Sequence, residues 1–130
     1  MNSLALSRCS ILVVEDEPLI ALDLRQHLET AGAYVFAATR LPHALQLAGH
    51  PDLSAAVLDY RLGHEDSTAV CSLLSQRGIP FVFYSGYDDM HQTWPDAVRV
   101  PKPADGHRVV EAVAQVLRDS LFAANARAAA

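Results

Sequence analysis

The sequence predicts a doubly wound α/β domain. Short apolar runs alternate with longer segments of helical spacing, and three of the runs are near-continuously hydrophobic, as strands covered on both faces must be. Four of the runs end on charged or hydroxylated residues.

The elements follow in order. Ser10–Val14 (SILVV) reads as the first strand. Pro18 then opens a helix, where its missing N–H costs nothing, with Leu19, Leu22, Leu24 and Leu28 as its apolar face and Gly32 as its stop. Tyr34–Ala38 is the second strand, and a helix starting near Pro42 leads to the third strand, Ala55–Leu58. A helix over 67–77, ended by Gly78, precedes a strand at 81–84; a fifth strand at 98–100 precedes a last helix over about 105–123. Between the last two strands, SGYDDMHQTWPDA has little apolar periodicity and a proline near its end, so a fourth helix there is expected to be short or irregular. The tail 123–130 is expected to fray. With right-handed crossovers this alternation builds a parallel sheet with helices on both faces, and a ligand crevice outside the carboxyl ends of the strands.

A chain of 130 residues fits one domain, with a core about 10–121, able to bury that core without disulfides or a structural metal. Although 51% of residues are hydrophobic, no uninterrupted run reaches the ~20 needed to cross a bilayer. Acidic Glu15, Asp16 and Glu17 stand where an export signal would need its cleavage site, so a cytoplasmic protein with no membrane insertion is expected. Cys9 and Cys71 lack a CxxC or His-rich partner and read as two buried thiols. A net charge of −5 opposes direct DNA binding. The six histidines (His27, His43, His50, His64, His91 and His107) lack the i, i+4 pairing of a metal site and read as surface residues.

The strand ends carry the chemistry. The first strand runs into Glu15 and Asp16, the third into Asp59, the fourth into Ser85, and the fifth into Pro101-Lys102-Pro103. In a parallel sheet these ends share one edge, so three carboxylates, a hydroxyl and an ammonium converge on one crevice. Singly, each has a plainer explanation: helix N-terminal charge for Glu15 and Asp16, a loop cap for Asp59, a solvated turn for Lys102. Together they form a site. Clustered carboxylates repel, and a hard cation with oxygen ligands, best Mg²⁺, neutralises them while shielding an incoming phosphoryl group. Asp59 would attack as nucleophile, and Lys102 and Ser85 would bind phosphoryl oxygens.

Over roughly 10–121 this set resembles the receiver domain of two-component response regulators. The resemblance rests on ILVVEDEP, PDLSAAVLDYRLG, Ser85-Gly86 and Lys102-Pro103, in order and each at a strand end. It implies a flavodoxin-like (βα)5 fold with strand order 2-1-3-4-5, and a bacterial phosphoprotein that takes its phosphoryl group at Asp59 from a sensor histidine kinase or phosphotransfer protein. It also implies Mg²⁺ bound by Asp16, Asp59 and the backbone carbonyl of Arg61, with Glu15 acting through water, and Ser85 and Lys102 as the hydroxyl and the lysine of the family's pattern. Arg61 and Tyr87 fall at the positions that flank the attacking water in dephosphorylation. FVFYSGY is similar to the "FAT GUY" stand-alone receivers of alphaproteobacteria, with Tyr84 in place of the usual Ala. Arg99 stands where the family commonly has an aromatic switch residue, so ordering of 86–97 is the expected output instead.

The expected function is a stand-alone receiver, not an enzyme with an external substrate, that signals by protein contact to a downstream partner or drains phosphate from a kinase. Two alternatives stand beside it. A pseudo-receiver would bind partners without phosphorylation, against the intact set of site residues. A haloacid-dehalogenase-type phosphatase needs a second Asp two residues beyond the nucleophile, where this chain has Arg61. Trp94 and Tyr87 read as local anchors in their segment, with an interface as the other reading.

Overall fold

A computed structural model of the chain describes residues 4–86, 94 and 97–129. Five parallel strands form one sheet: β1 (Ser10–Val14), β2 (Tyr34–Ala38), β3 (Ala55–Leu58), β6 (Phe81–Ser85) and β7 (Val98–Pro101), in the order β2-β1-β3-β6-β7. Two further strands, β4 (Arg61–Leu62) and β5 (Glu65–Asp66), pair antiparallel in a small hairpin outside the sheet. Counted within the sheet alone, the order is the expected 2-1-3-4-5 of the flavodoxin-like receiver fold.

The strands alternate their side chains between two cores, which is why the three central ones are apolar at nearly every position, Ser10 and Ser85 at their ends excepted. Leu12, Val14, Ala56, Leu58 and Phe83 face one core, with Ala44 and Ala48 of α2 (Leu41–Ala48) and Val70, Cys71 and Leu74 of α3 (Thr68–Gln76). Ile11, Val13, Ala55, Val57, Val82, Tyr84 and Val100 face the other, with Leu24 and Leu28 of α1 (Pro18–Thr30) and Val109, Val113 and Val116 of α4 (Gly106–Ala129). Among the described residues there are thus four helices, two on each face.

Three expectations change, and one element is new. The apolar face of α1 is Ile20, Leu24 and Leu28, one i, i+4 stripe; Leu19 and Leu22 point away and are 79% and 50% exposed. Helix α4 carries on to Ala129 rather than ending near 123, because the tail AANARAA is made almost wholly of the strongest helix former. Cys71 is buried, which pushes its thiol up to about 12, whereas Cys9 is only half-buried; both are free. The hairpin after Asp59 had no signal in the sequence beyond Gly63, whose φ of 64° takes the left-handed conformation the turn requires. The expected short or irregular fourth helix falls largely on 87–93, 95 and 96, outside the described residues, as does Tyr87. Among the described residues no helix is long and apolar enough to cross a membrane.

Candidate functional site

The site lies at the carboxyl edge of the sheet, between β1 and β3, where the chain's direction of travel across the sheet reverses. Backbone pairing continues one residue past the strands and fixes the side chains there. The Glu15 amide donates to the Ala38 carbonyl at 3.1 Å, the Asp59 amide to Val14 at 2.8 Å, and the Lys102 amide to Ser85 at 2.9 Å. The strands thus deliver Glu15, Asp59 and Lys102 in register.

Lys102 Nζ donates to Glu15 Oε1 at 2.6 Å and to Asp59 Oδ2 at 2.9 Å. The other Asp59 oxygen, Oδ1, accepts from Ser85 Oγ at 3.3 Å and more weakly from the Arg61 amide at 3.4 Å. Ser85 is fully buried, and its hydroxyl also accepts the Tyr60 amide at 2.8 Å, which leaves its proton directed at Asp59. Asp16 stands apart and exposed, with Oδ2 accepting the Gly63 amide at 3.1 Å. That bond ties the hairpin back over the crevice.

Charge in this cluster is unbalanced. One ammonium serves two contacting carboxylates, with a third close by. Burial pushes Glu15 up to about 7; the Lys102 hydrogen bond and the Glu17 amide pull it back only in part, and the Asp59 charge adds to the rise. For Lys102, burial alone would lower the pKa, but the hydrogen bonds to Asp59 and Glu15 and their charges outweigh it, so its pKa is raised and it stays protonated. The residues fit a hard cation: Glu15, Asp16 and Asp59 each offer an oxygen, all within 4.8 Å of one another. Within this cluster Lys102 bonds both Glu15 and Asp59, while Asp16 is exposed at its open side.

The structure therefore brings Glu15, Asp16, Asp59, Ser85 and Lys102 together, with Arg61 starting the adjoining hairpin. Arg99 lies half-buried on β7, opposite Phe83. Trp94 packs its ring edge-on against Phe81 at 5.8 Å, at the margin of the core. Sequence reasoning gave Tyr84 no role at the site. Its hydroxyl accepts the Ala104 amide and donates to the Ala104 carbonyl, both at 3.1 Å, and its ring lies 5.5 Å from Lys102 Nζ. Tyr84 thereby holds the turn that carries Lys102, in which the Lys102–Pro103 peptide is cis. A hydroxylated ring at the penultimate position of an otherwise apolar strand was the available signal.

A parallel five-stranded fold with carboxylates, a hydroxyl and a lysine at one edge defines a receiver-type site, and the family model for the response regulator receiver domain matches residues 11–114. The chain belongs to that family. Among curated proteins it is similar to the phyllosphere-induced regulator PhyR of Methylorubrum extorquens, 32% identical over 114 residues, which cover 82% of this chain and 43% of that protein. The chain thus spans less than half of that relative. Among solved structures it is similar to a response regulator receiver protein from Sinorhizobium medicae, with a TM-score of 0.76, 25% identity, and coverage of 86% of this chain and 96% of the other. The anti-anti-sigma factor PhyR from Bartonella quintana shares the fold, with a TM-score of 0.77 at 23% identity over 91% of this chain and 51% of that one.

Proposed function

We propose that Asp59 accepts a phosphoryl group from a phosphohistidine donor with Mg²⁺ held by Asp16, Asp59 and the Arg61 carbonyl, in a cytoplasmic signalling protein. The observation that carries this reading is the double grip on Asp59, with Lys102 on one oxygen and Ser85 on the other. An oxygen of Asp59 attacks phosphorus, the donor's P–N bond breaks, and the new acyl phosphate remains on Asp59. Lys102 and Ser85 then turn from the carboxylate to the phosphoryl oxygens, which offer them more negative charge at nearly the same place. Bound Mg²⁺ would supply charge neutralisation to the transferring group. Glu15 holds Lys102 from behind, in direct contact, and would meet Mg²⁺ through water.

The output is proposed to be a protein contact. Two proteins that this chain is similar to, a regulator and an anti-anti-sigma factor, are named for work in regulation. A phosphatase reading finds no support, since the residue two beyond Asp59 is Arg61, which cannot serve as acid and base at neutral pH. Beryllofluoride with Mg²⁺, a phosphoryl mimic, tests the proposal. Amide signals of residues 59, 85 and 102 should shift together; an unchanged spectrum at millimolar Mg²⁺ would favour a module that binds partners without phosphorylation.

A further inference from the structure

We propose a second cation site, separate from the acidic crevice, in which His27, Asp105 and His107 bind a borderline divalent transition metal such as Zn²⁺ or Co²⁺ at the junction of α1 and α4. One ligand atom from each lies within 4.8 Å of the other two, although His27 and Asp105 are 78 positions apart in the chain. Tetrahedral coordination with metal–nitrogen bonds of about 2.0–2.1 Å brings ligand atoms to roughly 3.4 Å of one another, so small side-chain rotations close the site. Asp105 and His107 are exposed, and the His107 ring has room to make them. Two imidazoles and one carboxylate are a donor set for Zn²⁺ or Co²⁺ rather than for Mg²⁺, which takes oxygen.

Three features point to a built site. His27 Nδ1 lies 2.9 Å from the Asp23 carbonyl oxygen, which can only accept, so Nδ1 carries the proton and Nε2 of the neutral ring keeps its lone pair. This backbing of a ring N–H by a carbonyl is the outer-shell arrangement that orients metal-binding histidines. Gly106, between the other two ligands, is buried under the His27 ring; a Cβ there would lie 2.3 Å from His27 Cγ. Only glycine allows that approach. Asp105 uses Oδ1 to accept the His107 amide at 2.9 Å, which fixes the two residues relative to each other and leaves its second oxygen available. A cavity of about 470 Å³ lined by Gln26, His27, Thr30, Ala31, His107 and Val110 opens beside the rings and gives an ion and its water a path in.

A metal here would tie α1 to the turn that carries Lys102, since Ala104 is already bonded to Tyr84 on one side and Asp105 would be bonded to the ion on the other. The site itself does not depend on phosphorylation at Asp59. The test uses the tag-free chain with millimolar Mg²⁺ present to fill the acidic crevice, titrated with Co²⁺ alone and followed by visible absorption and calorimetry. One Co²⁺ per chain with the intense bands of a low-coordinate N/O site is expected. His107→Ala should weaken binding by at least about tenfold, and His27→Gln likewise, while His64→Ala leaves it unchanged. Unaltered binding in both His107→Ala and His27→Gln, or no binding by the wild type at millimolar Co²⁺, would overturn the site.

Discussion

Replacing Lys102 by Met keeps most of the side-chain volume and removes the ammonium that Glu15 and Asp59 share. Its cost depends on pH in a direction the structure fixes. Glu15 is 1% exposed, and even with Lys102 at 2.6 Å burial holds its pKa at about 7 against the usual 4.5. A raised folded-state pKa means that the native state binds more protons than the unfolded chain. The associated stability is complete below pH 4.5, declines as pH rises, and stops declining above about 7 in the wild type. Without Lys102 the Glu15 pKa rises further, so the decline continues past 7 at up to about 1.4 kcal/mol per pH unit. Lys102 itself titrates above its usual 10.5, outside this window. At pH 6, where Glu15 is protonated in both proteins, the loss reduces to the hydrogen bonds and stem packing, about 1–3 kcal/mol. At pH 8 it should be larger by roughly 1–1.5 kcal/mol. Urea unfolding followed by circular dichroism at pH 6, 7 and 8, with chelator present, measures both parts. An equal loss at pH 6 and pH 8 would refute the buried, uncompensated carboxylate at Glu15.

Tyr84→Phe removes the two hydrogen bonds to Ala104 and keeps the ring, so it should cost about 1–2 kcal/mol and slow phosphoryl uptake by loosening the Lys102 turn; urea unfolding and acetyl phosphate labelling read the two effects separately. On α1, Leu24→Ala opens a cavity in the core and should cost about 2–5 kcal/mol. Leu19→Ala, on the exposed side of the same helix, should stay within about 0.5 kcal/mol of the wild type; thermal and urea unfolding of the pair would detect an error in the helix's facing.

Much of the fold was legible because parallel strands buried on both faces must be largely apolar, and β1, β3 and β6 are, apart from a serine at one end of β1 and of β6. The site was legible for a related reason. Residues of one sheet edge follow directly on the strands that carry them, so Glu15, Asp59, Ser85 and Lys102 could be grouped without coordinates. What was not legible depended on contacts between distant segments. In α1, leucines at 19 and 22 compete with the 20, 24 and 28 stripe, and only the position of α4 decides which faces inward. The pairing of Lys102 with Glu15 needed the depth of Glu15, which no pattern reports, and the meeting of His27 with His107 needed the α1–α4 junction. The hairpin of β4 and β5 is too short for any periodicity to show.

Phosphoryl incorporation compares the central residue with its neighbours most directly. With acetyl phosphate and Mg²⁺, the wild type should gain one acid-labile, base-labile phosphate per chain, as an acyl phosphate requires. Asp59→Asn should gain none, and Asp16→Asn should be strongly impaired unless Mg²⁺ is raised. Labelling of Asp59→Asn equal to that of the wild type would contradict the assignment of Asp59 as the acceptor.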